Sequence, residues 1–222
     1  DNVILAESVV QGGRQHSERL IPTIDWLLAE AGLGLAQIDL LAISIGPGSF
    51  TGLRIGGATW KGLALANNLP LIGVPTLDAL TRVCAIPPGG YVATILDARM
   101  KEVFAAVYSY EDRDRSCVIP PLACTPADLM AEVESLPGFT PDKLGLVGDG
   151  ANLYGALFQA QWPDAVIADP LVGVPRASAV AREALALRAA GVSEDAALVS
   201  PVYLRKSQAE VNRDIRLAAS DH

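Results

Sequence analysis

The sequence predicts an α/β chain built as two similar halves, split near residues 88–92. Three observations predict it. Strand-like and helix-like stretches alternate in the order β-α-β-α-β-α and then β-β-α-β-α-β-α. The run "IDLLAISIG" (38–46) is continuously apolar between turn signals, the pattern of a strand buried on both faces. Two glycine loops, "GPGS" at 46–49 and "GDG" at 148–150, each follow an apolar strand and launch a helix, one in each half.

The elements follow from local pattern. "NVILAESVV" (2–10) is β-branched and loosely alternating, so it reads as a strand, and "QGGRQ" as the turn after it. Ser17 can then cap a helix whose apolar residues Leu20, Ile21, Ile24, Leu27 and Leu28 recur at helical spacing, ending near Gly32. After the strand at 38–46, a helix is expected from about Thr51 to Ala66, stopped by "NNLP". "LIGV" (71–74) is a short buried strand, and "TLDALTRVCA" (76–85) a helix with Thr76 as cap. Beyond "IPPGG", the strands "YVATILDA" and "EVFAAVYSY" are joined by "RMK" and alternate more clearly than the earlier runs. A helix at 126–135 has Thr125 as cap and Pro126 at its first position. Strand "LGLVG" (144–148), a helix at 151–160, strand "AVIAD" and a helix at 176–190 complete the pattern. The halves are thus 1–90 and 91–205, helix 176–190 is expected to pack back on the first half, and the polar end 206–222 reads as a flexible tail.

Composition bounds the function. With 222 residues, half of them apolar and few aromatic, the core is aliphatic and rich in alanine. The apolar runs are too short to span a bilayer, which predicts no membrane segment. No secretory signal opens the chain, and Asp1 in place of Met implies sequence upstream. Three cysteines without CxxC spacing point to a reducing compartment, and a cytoplasmic protein is the expectation. A net charge of −8 argues against broad nucleic-acid binding by this chain alone.

The chemistry-bearing residues are few. Gly46, Gly48, Ser49 and Thr51, between a strand and a helix start, offer backbone N–H groups and hydroxyls to a phosphate; the competing reading is a tight structural turn. Gly148, Asp149 and Gly150 pose the same choice. Neither loop is a Walker loop or a GxGxxG fingerprint. The helix after Thr51 is unusually bare: Gly52, Gly56, Gly57, Ala58, Gly62, Ala64 and Ala66. Each interior glycine costs about 0.5–1 kcal/mol against alanine, so several together call for a compensating contact, either inside the domain or with another subunit. Only two histidines are present, His16 and His222, which leaves a His-based metal site or a Ser-His-Asp triad without support. Asp97, Arg99, Lys101 and Glu102 read as a salt-bridged hairpin turn.

The blocks "QHSERLIPTID", "ISIGPGSFTGLRIGGATWKGLALANNLPLIGVPTLDAL", "ILDARMKEVFAAVY", "VGDGA" and "SPVYLRK", in this order and over nearly the whole chain, resemble the TsaB (YeaZ-like) family. The resemblance implies an actin/Hsp70-like (ASKHA) two-domain α/β fold, each half a mixed sheet with helices. It implies a role in threonylcarbamoyladenosine formation on tRNAs reading ANN codons, as a non-catalytic scaffold of the paralogue TsaD, with the ATPase TsaE as a further partner and tRNA met only through the complex. In TsaD a stretch like "PLxGVNHxxGH" supplies two metal-binding histidines; here "PLIGVPTLDAL" puts Thr76 and Leu80 at those places, and Pro175 falls near the paralogue's metal-binding Asp. No metal or other cofactor is therefore expected of this chain, with ATP or ADP in the complex the remaining alternative. The implied partner contact, also usable for a homodimer, is a helix bundle. By periodicity it would use Leu20, Thr23, Ile24 and Leu27 of one helix and Arg54, Gly57, Ala58, Lys61 and Leu65 of the other. Family members open with a strand like "ILALDTS" and a second strand, so the first strands of the fold are expected to be missing here.

Overall fold

Strand β3 (Tyr91–Arg99) is the centre of the molecule because both of its faces are covered. Ala93 and Ile95 face one apolar core and Val92 and Leu96 the other, all but Leu96 (6%) with no exposed surface. It is the middle strand of a five-stranded sheet in the order β5-β4-β3-β6-β7, with β4 (Glu102–Glu111), β5 (Asp114–Cys124), β6 (Leu144–Val147) and β7 (Val166–Ile167). The β3–β4 and β4–β5 pairs are antiparallel and the β3–β6 and β6–β7 pairs parallel. A second sheet pairs β1 (Leu41–Gly46) with β2 (Leu71–Pro75) in parallel. The computed structural model describes residues 3–10, 16–83, 89–111, 114–171 and 173–205.

Helices cover both sheets. In chain order they are α1 (His16–Glu30), α2 (Phe50–Asn67), α3 (Thr76–Leu80), α4 (Pro126–Glu134), α5 (Asp149–Leu153), α6 (Gly155–Gln161) and α7 (Ala177–Ala189). Leu129 and Val133 of α4, Ala151 of α5 and Phe158 of α6 fill one face of the large sheet. Leu77 and Leu80 of α3 fill the other. Val180 and Ala184 of α7 pack on Ile72 and Val74 of β2, while Ala64 of α2 packs with Leu71. Helix α4 begins where its cap dictates: Thr125 Oγ1 accepts from Asp128 N–H (3.2 Å), and Asp128 accepts in return from the Thr125 backbone, around Pro126 at the first position.

Several local expectations are corrected. Residues 3–10 form no strand: they have no ladder partner, and Val3, Ile4, Leu5 and Val10 remain more than half exposed. Glu7 holds the segment instead, its carboxylate accepting from the Arg176 guanidinium and from Ser178 N–H (2.8 Å) at the start of α7. Strand β1 is half-buried, not buried on both faces: among the described residues β2 is its only ladder partner, and the strands with both faces covered, β3 and β6, lie inside the larger sheet. Thr76 is not a cap. Pro75 holds that position, Thr76 is bonded to Ser44, and α3 stops at Leu80 before a 3₁₀ turn (Thr81–Val83). Strand β5 has no counterpart in the sequence reading, since Pro120 and Pro121 argue against a strand; they are tolerated on an edge, at a register shift opposite Ala106. The helix expected at 151–160 is two helices broken at Tyr154. Cys84, the Ser17 side chain and the tail 206–222 lie outside the described residues.

The two sheets are tied by one polar knot. Glu183 of α7, only 1% exposed, accepts from Arg82 Nε (2.6 Å) in the 3₁₀ turn and from both terminal nitrogens of Arg115 on β5 (2.6 and 3.1 Å). Arg115 also donates to Thr81 Oγ1 (2.7 Å) and to the Asp78 carbonyl (3.0 Å). Tyr108 O–H donates to the Asp78 carboxylate (2.5 Å); burial and the Asp78 charge push the Tyr108 phenol far above its ordinary value. Removing one member of a buried ion pair strands its partners and costs about 3–5 kcal/mol. Glu183→Ala therefore lowers the unfolding free energy by about that amount in urea titrations.

Cys124 supplies a pH-dependent check. Burial first, then the charges of Asp128, Glu102 and Glu132, push its thiol up to about 11 from an ordinary 9.0. A raised pKa contributes stability that is complete below the unfolded value and is lost as pH rises through the folded one. Stability should decline between about pH 9 and about pH 11. At pH 8 iodoacetamide should modify native Cys124 at least tenfold more slowly than the urea-unfolded chain, read by mass spectrometry.

Candidate functional site

Between the two sheets lies a cleft of about 820 Å³. Its first wall is the foot of α2. Strand β1 ends at Gly46 in a left-handed conformation (φ +113°), and Ser49 caps α2, its Oγ accepting from Gly52 N–H (3.3 Å). Gly48, Ser49 and Phe50 line the cleft, with Ser44 and Thr76 deeper in it, their hydroxyls 2.5 Å apart. The second wall is the end of β3 with Asp97, Ala98 and Arg99, together with Phe104 and Asp149. Asp149 Oδ1 accepts from Asp97 N–H (3.0 Å), and Asp97 accepts from Arg99 N–H (2.8 Å) and pairs with its guanidinium (3.0 Å). The hairpin turns through Arg99, Met100 and Lys101, all left-handed (φ +63°, +56° and +66°) and none of them glycine.

The loop glycines divide by role. A Cβ on Gly148 would fall 2.0 Å from the Ile95 carbonyl oxygen, at φ +125°, and one on Gly150 would lie 2.8 Å from the Leu96 carbonyl carbon. These two residues exist so that α5 can approach β3. A Cβ on Gly46 would lie 2.6 Å from the Val202 carbonyl oxygen, so this glycine also serves a close approach. Gly48 faces open space. Of the residues the sequence marked for phosphate, Gly48, Ser49 and Asp149 line the cleft; Gly46, Thr51, Gly148 and Gly150 do not. Gly48 and Ser49 sit at the positive end of an 18-residue helix, whereas Asp97 and Asp149 oppose an anion from the other wall.

The helix residues marked for partner contact do not form one face. Arg54, Gly57, Ala58 and Lys61 line a groove of about 430 Å³ between α2 and residues 199–203. Leu65 is 70% exposed beyond it. Leu27 lines a different groove, against residues 3–7 and α7, and Leu20, Thr23 and Ile24 are half-buried on α1. The bare helix works on two sides. Gly56 admits Ile43 of β1, to which a Cβ would stand at 3.5 Å, while Gly57 and Gly62 meet nothing within 4 Å. Sequence reasoning missed Phe50, Tyr203 and Arg205 in the cleft, since nothing in their spacing signals that residues 202–205 return there. Among the described residues, no helix is long and apolar enough to cross a membrane.

A two-sheet α/β chain with a cleft between its sheets and a glycine-rich helix at the cleft mouth is the class of protein these features define. The family model for TsaD, tRNA N6-adenosine threonylcarbamoyltransferase, matches residues 4–213. Curated TsaB proteins, named for tRNA threonylcarbamoyladenosine biosynthesis, are similar: that of Haemophilus influenzae is 44% identical over 92 residues (41% of this chain, 39% of the relative). That of Escherichia coli is 41% identical over 100 residues (45% and 43%). The solved structure of YeaZ from Pseudomonas aeruginosa superposes with a TM-score of 0.68 at 27% identity, over 87% of each chain. The chain belongs to the TsaD family, on its TsaB/YeaZ-like branch. The matches to the two curated relatives span only about two-fifths of their length.

The geometry sets the expected mutational contrast. Gly148→Ala should cost about 3 kcal/mol or more, because a Cβ there collides with backbone at a left-handed φ. Gly48→Ala, which meets no neighbour, should change stability by less than about 0.5 kcal/mol in the same thermal melts.

Proposed function

We propose that this chain serves threonylcarbamoyladenosine formation on tRNA as a non-catalytic partner that binds and activates a TsaD-type transferase, working in the cytoplasm and meeting tRNA only through the complex. The observation that carries this reading is the outer side of α2. Ala58 and Gly62 leave it bare, with Arg54 and the exposed Leu65 beside them, while Gly57 and Lys61 border the adjoining groove under residues 199–203. Small residues three and four apart let a second helix approach closely, and Arg at the edge suits an interface. The same surface would serve a homodimer in isolation, and TsaE would join the assembled pair.

The positions aligned with the paralogue's metal ligands support a partner without its own metal chemistry. Thr76 spends its hydroxyl on Ser44, Leu80 is fully buried in apolar packing against β3, and Pro175 sits at the cleft with no donor to offer. None supplies an imidazole or carboxylate. A second reading, weak nucleotide binding and hydrolysis, is favoured by the size of the cleft and by Gly48 and Ser49 at the start of α2. Asp97 and Asp149 on the facing wall weaken it, because they set negative charge against a phosphate and Asp97 already engages Arg99, one of the two arginines that line the cleft.

Gly57→Leu should weaken association with a TsaD-type transferase and with a second copy at least tenfold by sedimentation, and reduce tRNA modification in the reconstituted system. Unchanged association with both would refute the interface. Robust ATP turnover by the chain alone, abolished by Asp149→Ala, would favour the nucleotide reading.

A further inference from the structure

The segment from Val199 to Arg205 has no regular secondary structure, yet it is held at two very unequal ends. On the first sheet it is multiply anchored. Val199 packs with Ala64 and Leu71, Lys61 Nζ donates to the Ala197 carbonyl just before it (3.3 Å), and Val202 N–H donates to the Ile45 carbonyl of β1 (2.8 Å). Gly46 is bare where Val202 presses on it, and the Tyr203 ring lies 4.9 Å from that of Phe50, its hydroxyl accepting from Arg54 Nε (3.4 Å). From there Val202 to Arg205 line the cleft in succession and reach the second sheet. Among the described residues the polar contact made there is one ion pair, Arg205 Nη1 to Glu102 Oε2 on β4 (2.8 Å), with both side chains about one-third exposed.

We propose that Val199–Arg205 is a strap across the cleft, hinged on β1 at Val202 and latched on β4 by Arg205–Glu102, and that release of this latch controls access to the cleft floor at Ser44 and Thr76. The asymmetry decides which end opens. An exposed ion pair contributes at most about a fivefold bias and is screened by salt, whereas the other end combines a backbone hydrogen bond, aromatic contact and buried aliphatic packing. The strap closes the same cleft whatever enters it, so this inference stands whether or not the chain binds a nucleotide.

Thr76, 4% exposed on the cleft floor, reports access. The full chain carrying Thr76→Cys is treated with N-ethylmaleimide, a neutral reagent, and the rate is read by mass spectrometry on the peptide containing position 76. Glu102→Gln and Arg205→Gln should each accelerate modification about twofold to fivefold, with no further gain when combined. About 1 M salt should produce the same acceleration in the parent and none in Arg205→Gln. Arg99→Gln, which removes another arginine from the same lip, should leave the rate unchanged. Should Thr76→Cys fold poorly, Ser44→Cys probes the same floor. Hydrogen exchange at the Val202 amide should stay slow in every variant, because the hinge remains shut. Unchanged modification in both single variants, additive acceleration in the double, or loss of Val202 protection in step with modification would each overturn the strap.

Discussion

Everything about the cleft depends on one buried carboxylate. Glu183 sits at 1% exposure between Arg82 and Arg115, and its three neighbouring elements come from different parts of the chain: α7, the turn after α3, and β5. A buried carboxylate is tolerated only where cations and hydrogen bonds replace its lost hydration. In this arrangement of the two sheets Arg82 and Arg115 both reach it. The knot is therefore weak evidence for stability in itself but a strong constraint on geometry, since any other orientation would leave a charge buried without its partner. Asp78 and Tyr108 extend the constraint to β4, the strand that also carries Glu102 at the cleft edge.

With that orientation set, the cleft walls follow from backbone proximity. Gly148 and Gly150 bring α5 onto β3, which delivers Asp149 beside Asp97. Gly46 brings Val202 onto β1, which delivers Tyr203 and Arg205 to the cleft. The glycines that look like a phosphate cradle in the sequence are thus largely packing devices, and the polar groups of the cleft are placed by what those devices bring together. Gly48, by contrast, makes no close approach and lies open at the capped start of α2.

Helix α2 reconciles two demands that compete in one sequence. Its inner side needs small residues because β1 lies against it, and Gly56 meets Ile43. Its other side is partly bare: Gly57 borders the groove under residues 199–203, Gly62 lies exposed beyond it, and interior glycine in a helix is destabilising unless something fills the space.

The sequence by itself determined the alternation of strands and helices, the start of α4, and the glycine loops, because each is written in neighbouring residues: a cap at Thr125 with Pro126 after it, apolar runs, and turn glycines. It determined too that histidine and acidic ligands are absent from Thr76, Leu80 and Pro175. It misjudged residues 3–10 and the burial of β1 and missed β5, because a strand is defined by its partner: an apolar stretch without a ladder is not one, and a proline pair on an edge can still be one. Which face of α2 is filled, which glycines carry close approaches, and that Glu183, Arg82 and Arg115 meet were settled by tertiary structure alone, since those outcomes rest on residues as far apart along the chain as Gly46 and Val202. Local pattern carries information over a few residues, and the cleft is made of contacts far longer than that.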